Sequence, residues 1–392
     1  MYQSLVSRQE TAAKAIYSFI LLFFHCFILS LFHCFIVSFF HSAILSSLIS
    51  FHINQRINIT PPQKKTNSDM FAKSRSVRRV VVMLLLAMCA VASWSASPGY
   101  KDTLVVAADG TGDCLTVAEA FEHCRAFMDY EVHVLVRPGV YREKVILPSW
   151  LQNIVVEGED AARTVIMWDD HAALDHMGTF RTYTLRVDGS GITFRNLTIA
   201  NMAEPVAQAV ALHTEGDRIA FIHCCLIGNQ DTVFTGRGGT RLFFSDCYIE
   251  GTTDFIFGPA TAWFERCTIH CKRRSYITAA STPADVPYGY VFSHCRLTYA
   301  DGVQDVRLGR PWRDHASTVF LHCDLGSGIA PDGWAPWDVP HPEQTVRYAE
   351  YGCTGASAST RERQPWARVL SADEAAAITP EAVLGNWKVN EE

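Results

Sequence analysis

Gln208, Asp231 and Asp254 stand 23 positions apart, each from the next. In a chain that repeats itself at about that length, the fold stacks the three side chains into one column and brings two carboxylates together. At an effective dielectric of about 20 and a separation of roughly 5 Å, two such charges repel by about 3 kcal/mol, on the order of two pKa units. One carboxyl then keeps its proton where the other is ionised, and the pair titrates as a unit. This column is the place to look for chemistry.

The elements that must position it are read from a recurring segment, Phe-x-x-Cys-x-Leu/Ile. It runs from Phe221 to Leu226, Phe244 to Ile249, Phe264 to Ile269, Phe292 to Leu297 and Phe320 to Leu325, with an earlier copy at Phe194 to Ile199 that has Leu197 in the Cys place. From Leu197 through Cys224, Cys247, Cys267, Cys295 and Cys323 the steps are 27, 23, 20, 28 and 28 residues. The unit is short, alternating and rich in Phe, Ile and Thr, which reads as strand. One strand per step, with no helical pattern between, predicts an all-β parallel β-helix whose coils stack at about 4.8 Å. Asp231 and Asp254 each lie seven residues after a ladder cysteine, so they share one phase of adjacent coils. The cysteines read as small buried hydrophobes, mostly free, because ladder neighbours project in parallel and cannot easily bridge.

Two ends must be covered in such a solenoid. Thr116-Val117-Ala118-Glu119 is a capping box that starts an N-terminal capping helix, and Ser371-Ala372-Asp373-Glu374 and Thr379-Pro380-Glu381 start two helical segments at the other end. Upstream, Lys73, Arg75, Arg78 and Arg79 precede the apolar run Val80 to Ala92, so residues 70–97 read as a signal peptide cleaved near Ala92 or Ala96. Residues 18–50 are long and apolar enough for a membrane span. The second export signal at Met70 favours reading residues 1–69 as a doubtful extension upstream of the natural start rather than as an anchor. The folded domain is then 98–392, and the expected destination is secreted or periplasmic.

Of 34 basic and 40 acidic residues, nine and two precede residue 98, which leaves 25 and 38 and a net charge of −13 on the remainder. That balance argues against nucleic acid and anionic membrane as partners, and it repels a fully ionised polyanion. No Gly-x-Ser-x-Gly elbow, no His-Glu-x-x-His and no Cys-x-x-Cys pattern is present. Asn196-Leu197-Thr198 fits a glycosylation sequon, but it falls in an expected core strand and is read as unmodified.

Around the column the chain reads Gln208-Ala209-Val210-Ala211-Leu212, Gly228-Asn229-Gln230-Asp231-Thr232, Asp254-Phe255-Ile256-Phe257-Gly258 and Leu308-Gly309-Arg310-Pro311-Trp312. In this order the motifs resemble those of the pectinesterases, the pectin methylesterases. Gly139 to Glu143 and Gly333-Trp334 through Trp337 extend the resemblance to roughly residues 102–390.

The resemblance implies a right-handed parallel β-helix and a monomeric hydrolase that removes methyl esters from pectin without metal or organic cofactor. By motif, Asp254 resembles the nucleophile, Asp231 the general acid and then base, and Gln230 and Gln208 the amide donors to a tetrahedral oxyanion. Arg310 resembles the arginine that holds the nucleophile ionised. Trp312 is similar to a sugar-stacking residue, Phe234 and Phe257 to aromatic groove residues, and Thr184 to a substrate contact, although Tyr183 departs from the small residue common there. On this view Arg310 lowers the pKa of Asp254 while the charge of Asp254 raises that of Asp231, so the two shift in opposite directions. Trp334 and Trp337 are read as packing at the C-terminal end. The alternative is a related β-helix esterase or thioesterase acting on another acyl substrate; a polysaccharide-binding solenoid would not require the full catalytic set, and a pectate lyase would require calcium.

Overall fold

The structure is a computed structural model that describes residues 101–390. The extension over 1–69 and the signal peptide over 70–97 lie outside the described residues. Three parallel sheets wind along the chain. The first has eleven strands, from Thr103–Val106 to Arg368–Val369. The second has seven, from Val145–Leu147 to Arg307–Gly309, and the third has seven, from Gly139–Arg142 to Arg296–Tyr299. The central coils each add one strand to each sheet, and the first sheet runs on at both ends, so the molecule is the parallel β-helix that the repeat predicts.

The Phe and Cys places of the repeat form two linked columns inside the coils. Phe194, Phe221, Phe244, Phe264, Phe292 and Phe320 are all fully buried, and their rings stack at 5.0, 5.1, 4.6, 4.4 and 4.4 Å. Interplanar angles of 6–10° follow from in-register parallel pairing, which gives every ring the same side-chain direction. Each ladder cysteine donates its thiol to the Phe carbonyl one coil back, as in Cys247 Sγ to Phe221 O at 3.3 Å and Cys295 Sγ to Phe264 O at 3.4 Å. All ten described cysteines are free, and burial pushes the thiols of Cys224, Cys247, Cys267, Cys295 and Cys323 well above their ordinary pKa. They pack as small apolar groups.

The turn out of the first sheet is made by a residue in the left-handed region, and it precedes the Cys place in every coil. Asn196, His223, Asp246, Arg266, His294 and His322 have φ of 51–55°. A non-glycine residue there is strained by roughly 1–2 kcal/mol. The offset is a backbone hydrogen bond to the next coil, such as His223 N to Ser245 O at 3.0 Å and His322 N to Tyr351 O at 2.8 Å. Asn196 therefore occupies a half-buried turn rather than a core strand, which corrects the sequence expectation; Thr198 of the same sequon is buried and donates to Ala161 O.

Helix α1, Val117–His123, buries Val117, Ala120 and Phe121 against the first coil. Thr116 caps it by accepting from Glu119 N at 3.1 Å, while Glu119 reaches Leu115 N instead of closing the box on Thr116. The remaining amide donors go to Glu143, whose carboxylate accepts from Val117 N and Ala118 N at 2.8 and 3.0 Å. Glu143, part of a family-like motif, is thus a helix cap. Near the other end, α2 (Pro342–Thr345) is followed by α3 (Ala372–Ala376) and α4 (Pro380–Leu384). The last two do not close the end. They lie on the outer face of the first sheet, where Leu370, Ala375, Val383 and Leu384 cover Ala220, Phe243, Trp263 and Val291. Arg241 Nη1 to Leu384 O and Arg195 Nη2 to Asn390 O pin this tail along the flank.

Candidate active site

The second sheet carries the site. Strands Val233–Thr235 and Ile256–Gly258 pair Val233 with Ile256 and Phe234 with Phe257. Asp231 and Asp254 stand two residues ahead of these strands, at the same corner of adjacent coils. Both have positive φ, 66° and 48°, and both amides are satisfied by the following coil, Asp231 N to Thr253 O at 3.1 Å and Asp254 N to Tyr276 O at 2.8 Å. Asp tolerates this conformation better than most side chains.

Gln208 is not in strict register with them. Leu212 pairs with Val233, a step two residues shorter than the one that pairs Ile219 with Leu242. The connection from Thr235 to the first sheet is correspondingly longer than the one from Thr214. Ala209 N donates to Gln230 O and Ala211 N to Thr232 O, which places Val210 in line with Asp231. Gln208 still lines the cavity.

Arg310 arrives two coils after Asp254. It follows strand Arg307–Gly309, which pairs with Tyr276–Ala280, which in turn pairs with Ile256–Gly258. Its guanidinium grips Asp254 with two bonds, Nε to Oδ1 at 3.0 Å and Nη2 to Oδ2 at 2.6 Å. Two rings flank that cation, Trp337 at 3.7 Å and Tyr276 at 4.2 Å from the guanidinium carbon to the ring centroid.

Burial decides the titration of both carboxyls. Asp231, 8% exposed, is pushed from 3.8 up to about 8, first by burial and then by the charge of Asp254, with Arg310 and a Gln230 hydrogen bond opposing. Asp254, 5% exposed, is also raised, because burial outweighs the hydrogen bonds and charge of Arg310. The expected opposite shifts are therefore corrected: the two move the same way, and Arg310 separates them by pulling back the rise of Asp254.

The carboxyls open into a cavity of about 340 Å³. Gln208, Gln230, Asp231, Asp254 and Arg310 supply its polar groups, and Phe257, Trp312, Trp337, Phe180, Thr179 and Ala279 complete it. Phe234 does not line the cavity; it extends the aromatic row behind it, 4.8 Å from Phe180 and 4.9 Å from Phe257 between centroids. Thr184 does not contact the cavity either, which corrects its reading as a substrate contact. It is fully buried and its hydroxyl donates to Ala200 O at 2.9 Å, so no surface remains for a ligand. Thr179 and Phe180, a short way upstream, do line the cavity, held by Thr182, which accepts from Val210 N and donates to Thr179 O. Buried Asn201 fastens the same wall, its amide donating to Asp170 O, Thr182 O and Val210 O, each at 3.0 Å.

Trp334 is core, fully buried with Nε1 on Glu350 Oε1 at 3.0 Å. Trp337 is not: it belongs to the site, a correction to its reading as packing. Tyr276 was also missed, because the seven-residue offset from Cys267 falls on Arg274; the pairing of Ile256 with Thr278 is what sets Tyr276 one coil beyond Asp254. Among the described residues no group of three or more His, Cys, Asp or Glu side chains is placed to hold a metal ion.

Comparison with known proteins agrees with this geometry. A family model described as Pectinesterase matches residues 103–386. Pectinesterase QRT1 of Arabidopsis thaliana is 34% identical over 289 residues, 70% of this chain and 75% of its own length. A pectinesterase of Daucus carota is 34% identical over 302 residues, 72% of this chain and 94% of its own length. Among solved structures, the pectin methylesterase from carrot matches with a TM-score of 0.69 at 33% identity, covering 74% of this chain and 94% of that one. A pectin methylesterase in complex with a hexasaccharide matches with a TM-score of 0.65 at 30% identity, covering 72% and 97%. With the family model spanning nearly every coil from the first strand to the flanking tail, the chain belongs to the pectinesterase family.

Proposed function

We propose that this enzyme removes methyl esters from methyl-esterified homogalacturonan, releasing methanol and leaving the galacturonate carboxylate. The observation that carries the reading is a carboxylate held by a two-bond arginine contact beside a second carboxyl, buried at the same corner of the adjacent coil, whose pKa burial raises. Asp254 attacks the C6 carbonyl, and the electron pair moves onto the carbonyl oxygen. The amides of Gln208 and Gln230 receive that charge. As the tetrahedral species collapses, Asp231 gives its proton to the departing methoxy oxygen, leaving an acyl-enzyme on Asp254. Asp231, now ionised, takes a proton from the incoming water, whose attack frees Asp254 and restores the starting state. Phe257 and Trp312 offer apolar faces to the pyranose rings of the polymer. A cell-wall polymer as substrate accords with an exported enzyme, and we extend the proposal to secretion or periplasmic release.

The test is methanol release from methylated pectin. Wild type turns over, and Asp254→Asn and Asp231→Asn each lose at least about a hundredfold in kcat. Asn retains the tolerance for positive φ, so the loss is not one of folding. Full activity in either variant, or none in the wild type, refutes the assignment.

A further inference from the structure

We propose that Tyr276 is the positioning residue of the nucleophile, a role that rests on the assignment of Asp254 above. Two contacts from one residue carry it. The Tyr276 carbonyl accepts the Asp254 amide at 2.8 Å, which fixes the backbone that presents the carboxylate. The Tyr276 ring lies 4.2 Å from the guanidinium carbon of Arg310, the cation that grips that carboxylate. The strand that begins at Tyr276 also anchors Arg310 through its backbone, Arg310 N to Thr278 O at 2.9 Å. Tyr276 therefore sets both the position of the nucleophile and the position of the charge that keeps it ionised.

The physical reason for a ring at this place is the guanidinium plane. Two of its donors are committed to Asp254, which fixes its direction within the plane but leaves its tilt to whatever covers its faces. An aromatic face attracts the cation by its quadrupole and holds that tilt without competing for donors. Trp337 provides one such contact, from a segment that also lines the cavity. Tyr276 provides the other from the regular sheet, where parallel hydrogen bonding holds its place. The contact that Tyr276 makes with the cation is through its ring.

The experiment follows the pH dependence of kcat/KM for methanol release. Tyr276→Phe keeps the ring and is expected to match wild type. Tyr276→Leu leaves the cation less well held, so kcat falls about tenfold with KM within about twofold, and the acidic limb, set by ionisation of Asp254, moves to higher pH. Replacing Tyr276 with pentafluorophenylalanine keeps the shape and removes the negative face, and it should move the acidic limb in the same direction even if the Leu variant fails to fold. An unmoved acidic limb in the fluorinated variant, or equal losses in the Phe and Leu variants, overturns the proposal. Absence of methanol release by wild type would instead remove the assignment on which it rests.

Discussion

Asp231 is buried with a titration point near 8 against 3.8 for an unperturbed Asp, and that difference has two measurable consequences. In catalysis it must be protonated to release methanol, so kcat/KM should fall above about pH 8, while the acidic limb reports Asp254. In stability the sign is opposite to that of a salt-bridged carboxylate. The folded state binds the proton more tightly than the unfolded state, so its stability falls as pH rises from about 4 to about 8. Asp231→Asn removes that penalty. Its Tm should match wild type near pH 4 and exceed it increasingly up to pH 8, as thermal unfolding followed by circular dichroism would show; equal Tm values at pH 8 would contradict the burial argument. The sequence displayed both carboxyls and Arg310 but not this balance. Proximity of an arginine is visible in a motif, whereas the desolvation that overrides it depends on how deeply the fold buries the carboxyl, which no motif shows.

The strand and its stacked side chains were the most legible level, because every coil repeats Phe, Cys and an aliphatic residue at the same phase. Phe264 lies between Phe244 and Phe292, with ring centroids at 4.6 and 4.4 Å. Phe264→Ala should lower unfolding free energy by about 3–5 kcal/mol, since neighbours fixed by backbone pairing cannot close the cavity. A chemical-denaturation midpoint unchanged from wild type would refute that rigidity. What the repeat could not reveal lies between strands. The misplacement of Gln208 comes from a connection two residues longer after Thr235, and Thr184 was assigned by motif although its side chain points into the hydrogen-bonded interior. The left-handed turn before each cysteine was equally hidden, because Asn, His, Asp and Arg fill it in six coils and a glycine, Gly352 before Cys353, marks it in only one.

On the scale of the whole molecule, the region from residue 98 onward carries a net charge of −13, while its proposed substrate gains negative charge as it is demethylated. Densely esterified polymer should therefore be the better substrate at low salt. Raising ionic strength from about 20 to 200 mM shortens the screening length roughly threefold and should narrow the gap, chiefly by improving turnover of sparsely esterified chains. Identical salt dependence for both polymers would count against the electrostatic account. The arrangement of the reacting groups and of the residues that position them also bears on how such a molecule can diversify. Asp231, Asp254, Tyr276 and Arg310 come from successive coils, and their separations are set by peptide hydrogen bonds across a sheet rather than by the length of any loop. Insertions and deletions at the other corners can accumulate without moving them, as the steps between coils already vary from 20 to 28 residues. The loops at those corners are thus free to drift while the reaction itself stays constant.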